Sequence, residues 1–250
     1  MSEETVYGMH AVRALLERRA GAVRRVLLQA GRADRRAQEL AEYARERGVS
    51  VETRPPAELD ALAGGGVHQG VVARVLPAAP LAEDELLVRL GAAPRPPPLV
   101  LVLDGVQDPH NLGACLRTAD AAGADAVVVP RDRAVGLTPV VRKVAAGAAE
   151  TVAFTQVTNL ARFLRALNEQ GLWVVGTDGE AETLYCAADL RGPLALVLGA
   201  EGAGMRRLTR EHCDLVVRLP MQGAVESLNV SVAAGVVLYE ALRQRATASV

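Results

Sequence analysis

Ala126-Val127-Val128-Val129 places four apolar residues in a row with no polar residue at alternate positions. A strand with one wet face alternates, whereas a strand without alternation is covered on both faces, which points to a parallel sheet in an α/β layer fold. Working outward, apolar runs of the same kind lie near 99–103, 152–154, 172–176, 194–198 and 215–219, with helical spacing between them. A last helix is expected over roughly 229–245. Three of these runs are each followed by a polar island. Asp108-Pro109-His110-Asn111-Leu112-Gly113, continuing to Arg117, follows Leu99–Leu103. Gly199-Ala200-Glu201-Gly202-Ala203-Gly204 follows Leu194–Leu198, and Glu226-Ser227-Leu228-Asn229-Val230-Ser231 follows Leu215–Leu219. Loops after strand carboxyl ends are where open α/β sheets bind ligands, so the three islands are expected to converge on one site.

The bulk numbers bound the rest. The chain has 250 residues, of which half are hydrophobic but only seven aromatic, so aliphatic side chains must form the core. That favours α/β layers over an aromatic-rich sandwich. A net charge of −1 gives no global attraction to nucleic acid. Its distribution is uneven: residues 10–36 carry eight arginines (13, 18, 19, 24, 25, 32, 35 and 36) against Glu17 and Asp34, and Lys143 is the only lysine. Arginine's planar fork suits phosphate and base stacking, although a genome rich in G and C also raises arginine over lysine. The three cysteines, at 115, 186 and 213, form no CxxC pair, so neither a disulfide framework nor a zinc site is expected. The acidic start Met1-Ser2-Glu3-Glu4 lacks the apolar core of a signal peptide, and no window reaches the ~18 apolar residues of a membrane span. A cytoplasmic protein is expected.

Six prolines (77, 80, 94, 96, 97 and 98) surround a short amphipathic piece, Leu81–Leu90. Residues 76–98 are therefore expected to be a semi-rigid linker between a small unit, 1–75, and a larger one, 99–250. In the small unit, Val12, Leu15 and Leu16 form one helix face and Ala37, Leu40, Ala41 and Ala44 another. Val23–Leu28, Val49–Thr53 and Val71–Val75 are strand candidates, giving an α/β/α sandwich with one basic side. Arg13, Arg18, Arg24, Arg25 and Arg32 of that side are the candidate contacts for a nucleic-acid backbone.

Singly, the islands have ordinary explanations. Asn111 can open a helix as a cap, Arg117 can be a surface residue, and a glycine turn needs only backbone donors. Glu201 is not needed by a turn, and Ser227, Asn229 and Ser231 together exceed what one cap requires. In this order, N-x-G-x-x-x-R (Asn111, Gly113, Arg117), G-x-E-G-x-G (Gly199, Glu201, Gly202, Gly204) and S-L-N-x-S (Ser227, Leu228, Asn229, Ser231) resemble the three motifs of the SpoU/TrmH-type RNA 2′-O-methyltransferases of the SPOUT superfamily. Tyr7-Gly8 and His68-Gln69-Gly70 are similar to the ribosomal-protein-L30e-like substrate-binding domain of RlmB-type members.

The resemblance implies S-adenosyl-L-methionine as methyl donor, no metal, and a guanosine ribose in the peptidyl-transferase region of 23S rRNA as acceptor. It also implies a trefoil knot formed by the carboxyl-terminal segment, and a homodimer with the cofactor pocket near the subunit interface. By motif position, Leu198, Gly199, Leu219 and Leu228 would cradle the cofactor. Arg117 would be the catalytic residue, Asn111 and Glu201 would orient it, and Ser227 and Asn229 would hold ribose or cofactor. Two rivals stand beside this: a tRNA ribose methyltransferase, and a non-catalytic RNA-binding or ribosome-assembly factor. Neither a P-loop nor a dinucleotide fingerprint is present to support a nucleotide-dependent phosphotransferase or oxidoreductase.

Overall fold

Every residue of Leu99–Asp104 is buried in the computed structural model, which describes residues 3–31, 34–92, 96–200, 202 and 204–247. The chain divides into two units, Met1–Ala79 with Ala146–Thr151, and Pro80–Ala145 with Val152–Val250.

In the first unit, β1 (Glu4–Tyr7) is followed by α1 (Met9–Arg19), β2 (Val23–Gln29), α2 (Arg35–Glu46), β3 (Ser50–Arg54), α3 (Pro56–Ala63) and β4 (Val71–Val75). The strands form one mixed sheet in the order β1-β4-β2-β3. Val12, Leu15, Leu16, Leu40 and Ala44 pack on one face with Val26, Val71 and Ala73, while Leu59 packs with Leu27 and Val72 on the other. The α/β/α layering follows from this two-sided burial. Elements β1 and α3 have no counterpart in the sequence reading. Pro56 opens α3, since proline is at home in the first turn of a helix, where its missing N–H is not needed.

The second unit begins with α4 (Glu83–Gly91) and β5 (Leu99–Asp104). The expected linker, 76–98, is thus not extended throughout. Leu86 and Leu90 of α4 are buried against Phe163, Leu167 and Val100. Each fully buried leucine contributes roughly 1.5–3 kcal/mol, which outweighs the propensity of flanking prolines for open chain. There follow α5 (Pro109–Ala121), β6 (Ala126–Pro130), α6 (Pro139–Ala145) and, belonging to the first unit, α7 (Ala148–Thr151). The chain continues through β7 (Ala153–Val157), α8 (Leu160–Glu169), β8 (Trp173–Thr177), β9 (Thr183–Leu184), β10 (Leu194–Gly199), α9 (Arg207–Glu211), β11 (Leu215–Arg218) and α10 (Val230–Thr247).

Its seven strands form one sheet in the order β7-β6-β5-β10-β8-β11-β9, and every pairing is parallel. All carboxyl ends therefore open on one edge. Arg245 closes the opposite end: its guanidinium donates to the carbonyls of Pro97, Pro98 and Gly192 at 2.9, 3.0 and 2.7 Å. Helix α10 packs on α5 and β10, which brings the third island beside the first.

Candidate functional site

At the carboxyl edge, the loops after β8, β10 and β11 and the start of α10 enclose a cleft of about 470 Å³. Leu198, Gly199, Leu219, Leu228 and Ser227 all line it. The cleft also takes in Glu226 of the third island and three residues outside the islands: Asp178 and Glu180 after β8, and Met205. Asp178 and Glu180 follow an apolar run just as the three islands do, and that position was the available signal. Asp178 is paired with Arg210.

The glycines have distinct jobs here. Ala200 and Gly204 exchange backbone hydrogen bonds, N to O, at 3.1 and 2.9 Å, closing the loop on itself. A Cβ on Gly199 would strike the backbone of Gly204 and Met205, so only glycine permits this closure. Gly176 in β8 leaves room that Met205 and Cys213 fill, seating Met205 at the cleft wall. Glu201 lies outside the described residues.

At the exit of the loop, Arg206 is fixed to the end of β5. Asp104, 1 % exposed, accepts the Arg206 backbone N–H at 2.9 Å and its Nε–H at 2.6 Å. No sequence signal announced this pair, because Asp104 sits at the end of an apolar run and its partner lies 102 positions away.

The first and third islands meet directly. Asn229 Nδ2 donates to Asn111 Oδ1 at 2.9 Å, and Asn229 Oδ1 accepts from Ser231 N and Oγ at 2.9 and 2.6 Å. Asn229 is thus the cap of α10. At α5 the cap is Asp108, accepting from His110 N at 2.9 Å, and Asn111 lies within the first turn rather than opening the helix. Arg117 is exposed on α5, outside the cleft lining, and makes no hydrogen bond or ion pair among the described residues.

Burial pushes the Cys115 thiol up to about 12. Cys213 is also pushed up to about 12, by burial first and then by Asp214. Neither thiol ionises near neutral pH. Among the described residues no group of three His, Cys, Asp or Glu side chains could hold a metal ion. No helix there is long and apolar enough to cross a membrane.

In the first unit, Tyr7-Gly8 and His68-Gln69-Gly70 come together. Gly8 N donates to Val71 O at 3.0 Å and Met9 N to Gln69 Oε1 at 3.2 Å. The candidate RNA arginines separate into classes. Arg13 is held by Glu17 at 2.7 Å and, with Arg47, sandwiches the Tyr43 ring at 3.5 and 3.3 Å. Arg18 donates to Thr151 O at 3.4 Å, and Arg25 lies between Glu3 and Glu52 at 3.5 and 3.7 Å. Arg24 is exposed at a register shift of β2 on β4, and has no ion-pair partner among the described residues. Arg32 lies outside the described residues. Arg19, in the same cluster, is structural: it pairs at 2.6 Å with Glu150, whose carboxylate also accepts from Ala78 N.

Comparison with known proteins finds two family matches along the chain. Residues 98–239 fit the SpoU rRNA methylase family, and residues 5–81 fit the RNA 2′-O ribose methyltransferase substrate-binding domain. The chain is 58% identical over 245 residues to the 23S rRNA (guanosine-2′-O-)-methyltransferase RlmB of Pseudomonas putida, covering 97% of each. It is 50% identical over 242 residues to RlmB of Escherichia coli, covering 97% of this chain and 99% of the relative. Among solved structures, the SpoU methyltransferase AviRb of Streptomyces viridochromogenes superposes with a TM-score of 0.73 at 27% identity, covering 99% of this chain and 91% of that one. The same enzyme in complex with the cofactor AdoMet gives 0.72 at 28%, covering 98% and 92%. With one match on the parallel-sheet unit that carries the cleft and a second on the unit ahead of it, the chain belongs to the SpoU rRNA methylase family.

Proposed function

We propose that this protein transfers a methyl group from S-adenosylmethionine to the ribose 2′-hydroxyl of a guanosine in the peptidyl-transferase region of 23S rRNA. The observation that carries the reading is the cleft at the carboxyl edge, lined by all four residues expected to cradle the donor. Its volume of about 470 Å³ suits a nucleoside-sized ligand. The closed Ala200–Gly204 turn offers backbone edges with no side chain in the way at Gly199, as an adenosine moiety requires. The loop of Leu198–Gly199 and the segments at Leu219 and Leu228 would hold the adenosine end, with Ser227 beside them. The donor supplies an already activated methyl group.

The protein's task is then to align the hydroxyl and to stabilise charge as the proton leaves. Arg117 is exposed and uncommitted among the described residues, so it is available to the RNA rather than to the fold. A guanidinium does not deprotonate in proteins, which argues against its acting as a base. It serves as a clamp on the phosphate and a stabiliser of the developing alkoxide. The Asn111–Asn229 bridge sets the angle between α5, which carries Arg117, and the segment 227–229 that reaches the cleft. The rRNA is gripped by the first unit, where Arg24 has no competing carboxylate among the described residues and the Arg13–Tyr43–Arg47 stack presents two guanidinium groups. Glu201 remains assigned to orienting Arg117 by its place in the motif.

The protein acts as a homodimer in this reading. Helix α10 is apolar on more than its packed side: Val232, Tyr239 and Leu242, spaced as one stripe, are exposed at 52, 51 and 38%. Apolar side chains exposed together on one stripe favour being covered, and a second copy would cover this one. The trefoil-knotted path of the carboxyl-terminal segment and a cytoplasmic site of action belong to the same reading.

Mapping 2′-O-methyl groups in rRNA and tRNA from cells with and without the gene tests it. Loss of one 23S rRNA guanosine methyl is the expected result. Loss of a tRNA methyl alone would overturn the substrate, and an unchanged methylation map would favour a non-catalytic factor.

A further inference from the structure

The two ends of the Gly199–Gly204 loop return to one residue. Gly199 leaves the sheet in register with Asp104 across the β10–β5 pairing. The chain then turns through the closed Ala200–Gly204 bridge and comes back at Arg206, whose backbone N–H and guanidinium both bond Asp104. Ala200 Cβ also lies 3.6 Å from where a Cβ on Gly105 would be, so the loop rests on the turn that follows Asp104. The Asp104 carboxylate is fully buried, whereas the Arg206 side chain is 45% exposed. A buried carboxylate is retained only if its lone pairs are satisfied, and three donor groups here (Arg206 N, Nε and Nη2) come from the same partner. The described residues of this loop, Gly199, Ala200, Gly202 and Gly204, have no side chain longer than a methyl group, so the contacts that hold them are those at the loop's ends.

We infer that Asp104 and Arg206 are positioning residues for the donor: their pair latches the exit of the Gly199–Gly204 loop to the end of β5 and thereby fixes the cleft wall against which the adenosine end lies. The inference rests on the proposed function, in that it takes the cleft to be the S-adenosylmethionine site. Neither residue lines the cleft, so both act through the loop. The latch sets affinity for the donor and leaves the chemical step to groups on α5 and α10.

The test is calorimetric titration of S-adenosylmethionine into the full-length wild type, Asp104→Asn, Arg206→Gln and the double variant, with kcat and KM for the donor measured on the same samples. Arg206→Gln is the safer fold, because its side chain is half exposed, and Asp104→Asn keeps the shape and an acceptor oxygen. Each single change is expected to raise Kd and the donor's KM about tenfold, the scale of one lost charge-assisted hydrogen bond, with kcat at saturating donor within about threefold. The double variant is expected to bind no more weakly than the worse single one, because one interaction is removed twice. Donor affinity within about twofold of wild type in both single variants overturns the latch, as do strictly additive losses or a fall in kcat with Kd unchanged. Failure of the wild type itself to bind the donor would instead remove the proposed function, and the latch with it.

Discussion

Asn229 donates its side-chain N–H to the side-chain oxygen of Asn111 at 2.9 Å, bridging positions 118 apart, while its own oxygen holds Ser231. One amide therefore caps α10 and ties it to α5. Asn229→Ala is expected to remove both functions and to destabilise the protein by about 1–2 kcal/mol, whereas Asn111→Ala, which leaves the cap intact, costs about 0.5–1.5 kcal/mol. Urea denaturation of the two variants measures the difference, and equal losses would show that the bridge, not the cap, dominates.

Arg117 is exposed, so Arg117→Ala is expected to fold and to bind S-adenosylmethionine as the wild type does. Single-turnover methyl transfer to an rRNA fragment should fall roughly 10²–10³-fold, the cost of deleting one preorganised group that meets developing charge. Normal turnover would sink its assignment to the reaction.

Gly199→Ala forces a Cβ into the backbone of Gly204 and Met205. Because backbone cannot swing aside like a side chain, the closed turn must open. Donor binding is expected to be lost in calorimetry while far-UV circular dichroism stays that of the wild type. Unimpaired binding would mean that the turn is not part of the donor site.

Arg24→Ala is expected to weaken rRNA binding across sequences and to lower the slope of log K against log salt by about one, the signature of one phosphate contact. Arg25→Ala should change that slope little, since Arg25 already lies between Glu3 and Glu52. Filter binding at several salt concentrations distinguishes the two.

Cys115 and Cys213 are both raised from an ordinary value of 9.0 to about 12 by burial. A raised thiol pKa means that the folded state holds its protons longer than the unfolded chain. The stability from this source is complete below pH 9 and is lost as pH rises from about 9 to about 12. Denaturation midpoints at pH 8 and pH 10 should show the fall, and Cys115→Ala should flatten it. At neutral pH the exposed Cys186 is expected to be the thiol that reacts rapidly with alkylating reagents.

The sheet was legible in the sequence because burial on both faces removes polar residues from each strand, as in Ala126–Val129. The converging loops were legible because a parallel sheet sends every carboxyl end to one edge. What the sequence hid were relations that only register creates. Glu52 on the neighbouring β3 and Glu3, just ahead of β1, both reach Arg25, and Asp104 receives Arg206 from across the β10 connection. The amphipathic piece Leu81–Leu90 reads as part of a linker because flanking prolines speak for open chain, whereas Leu86 and Leu90 speak only once a hydrophobic surface is there to receive them. Asp178 and Glu180 were overlooked for a different reason: they satisfy the same loop rule as the three islands, but belong to none of the quoted motifs.

The cleft has walls from Thr177 to Ala233, and the buried Glu150 completes a unit whose other members end at Ala79. As the polypeptide emerges from the ribosome, the amino-terminal sheet is complete in sequence before Ala146–Thr151 joins its unit, whereas the cleft gains its last wall only when the start of α10 has been made. Once it has, a ligand that binds only the finished form adds to its stability in proportion to the logarithm of its concentration. Methyl donor therefore stabilises the finished fold and not its incomplete precursors.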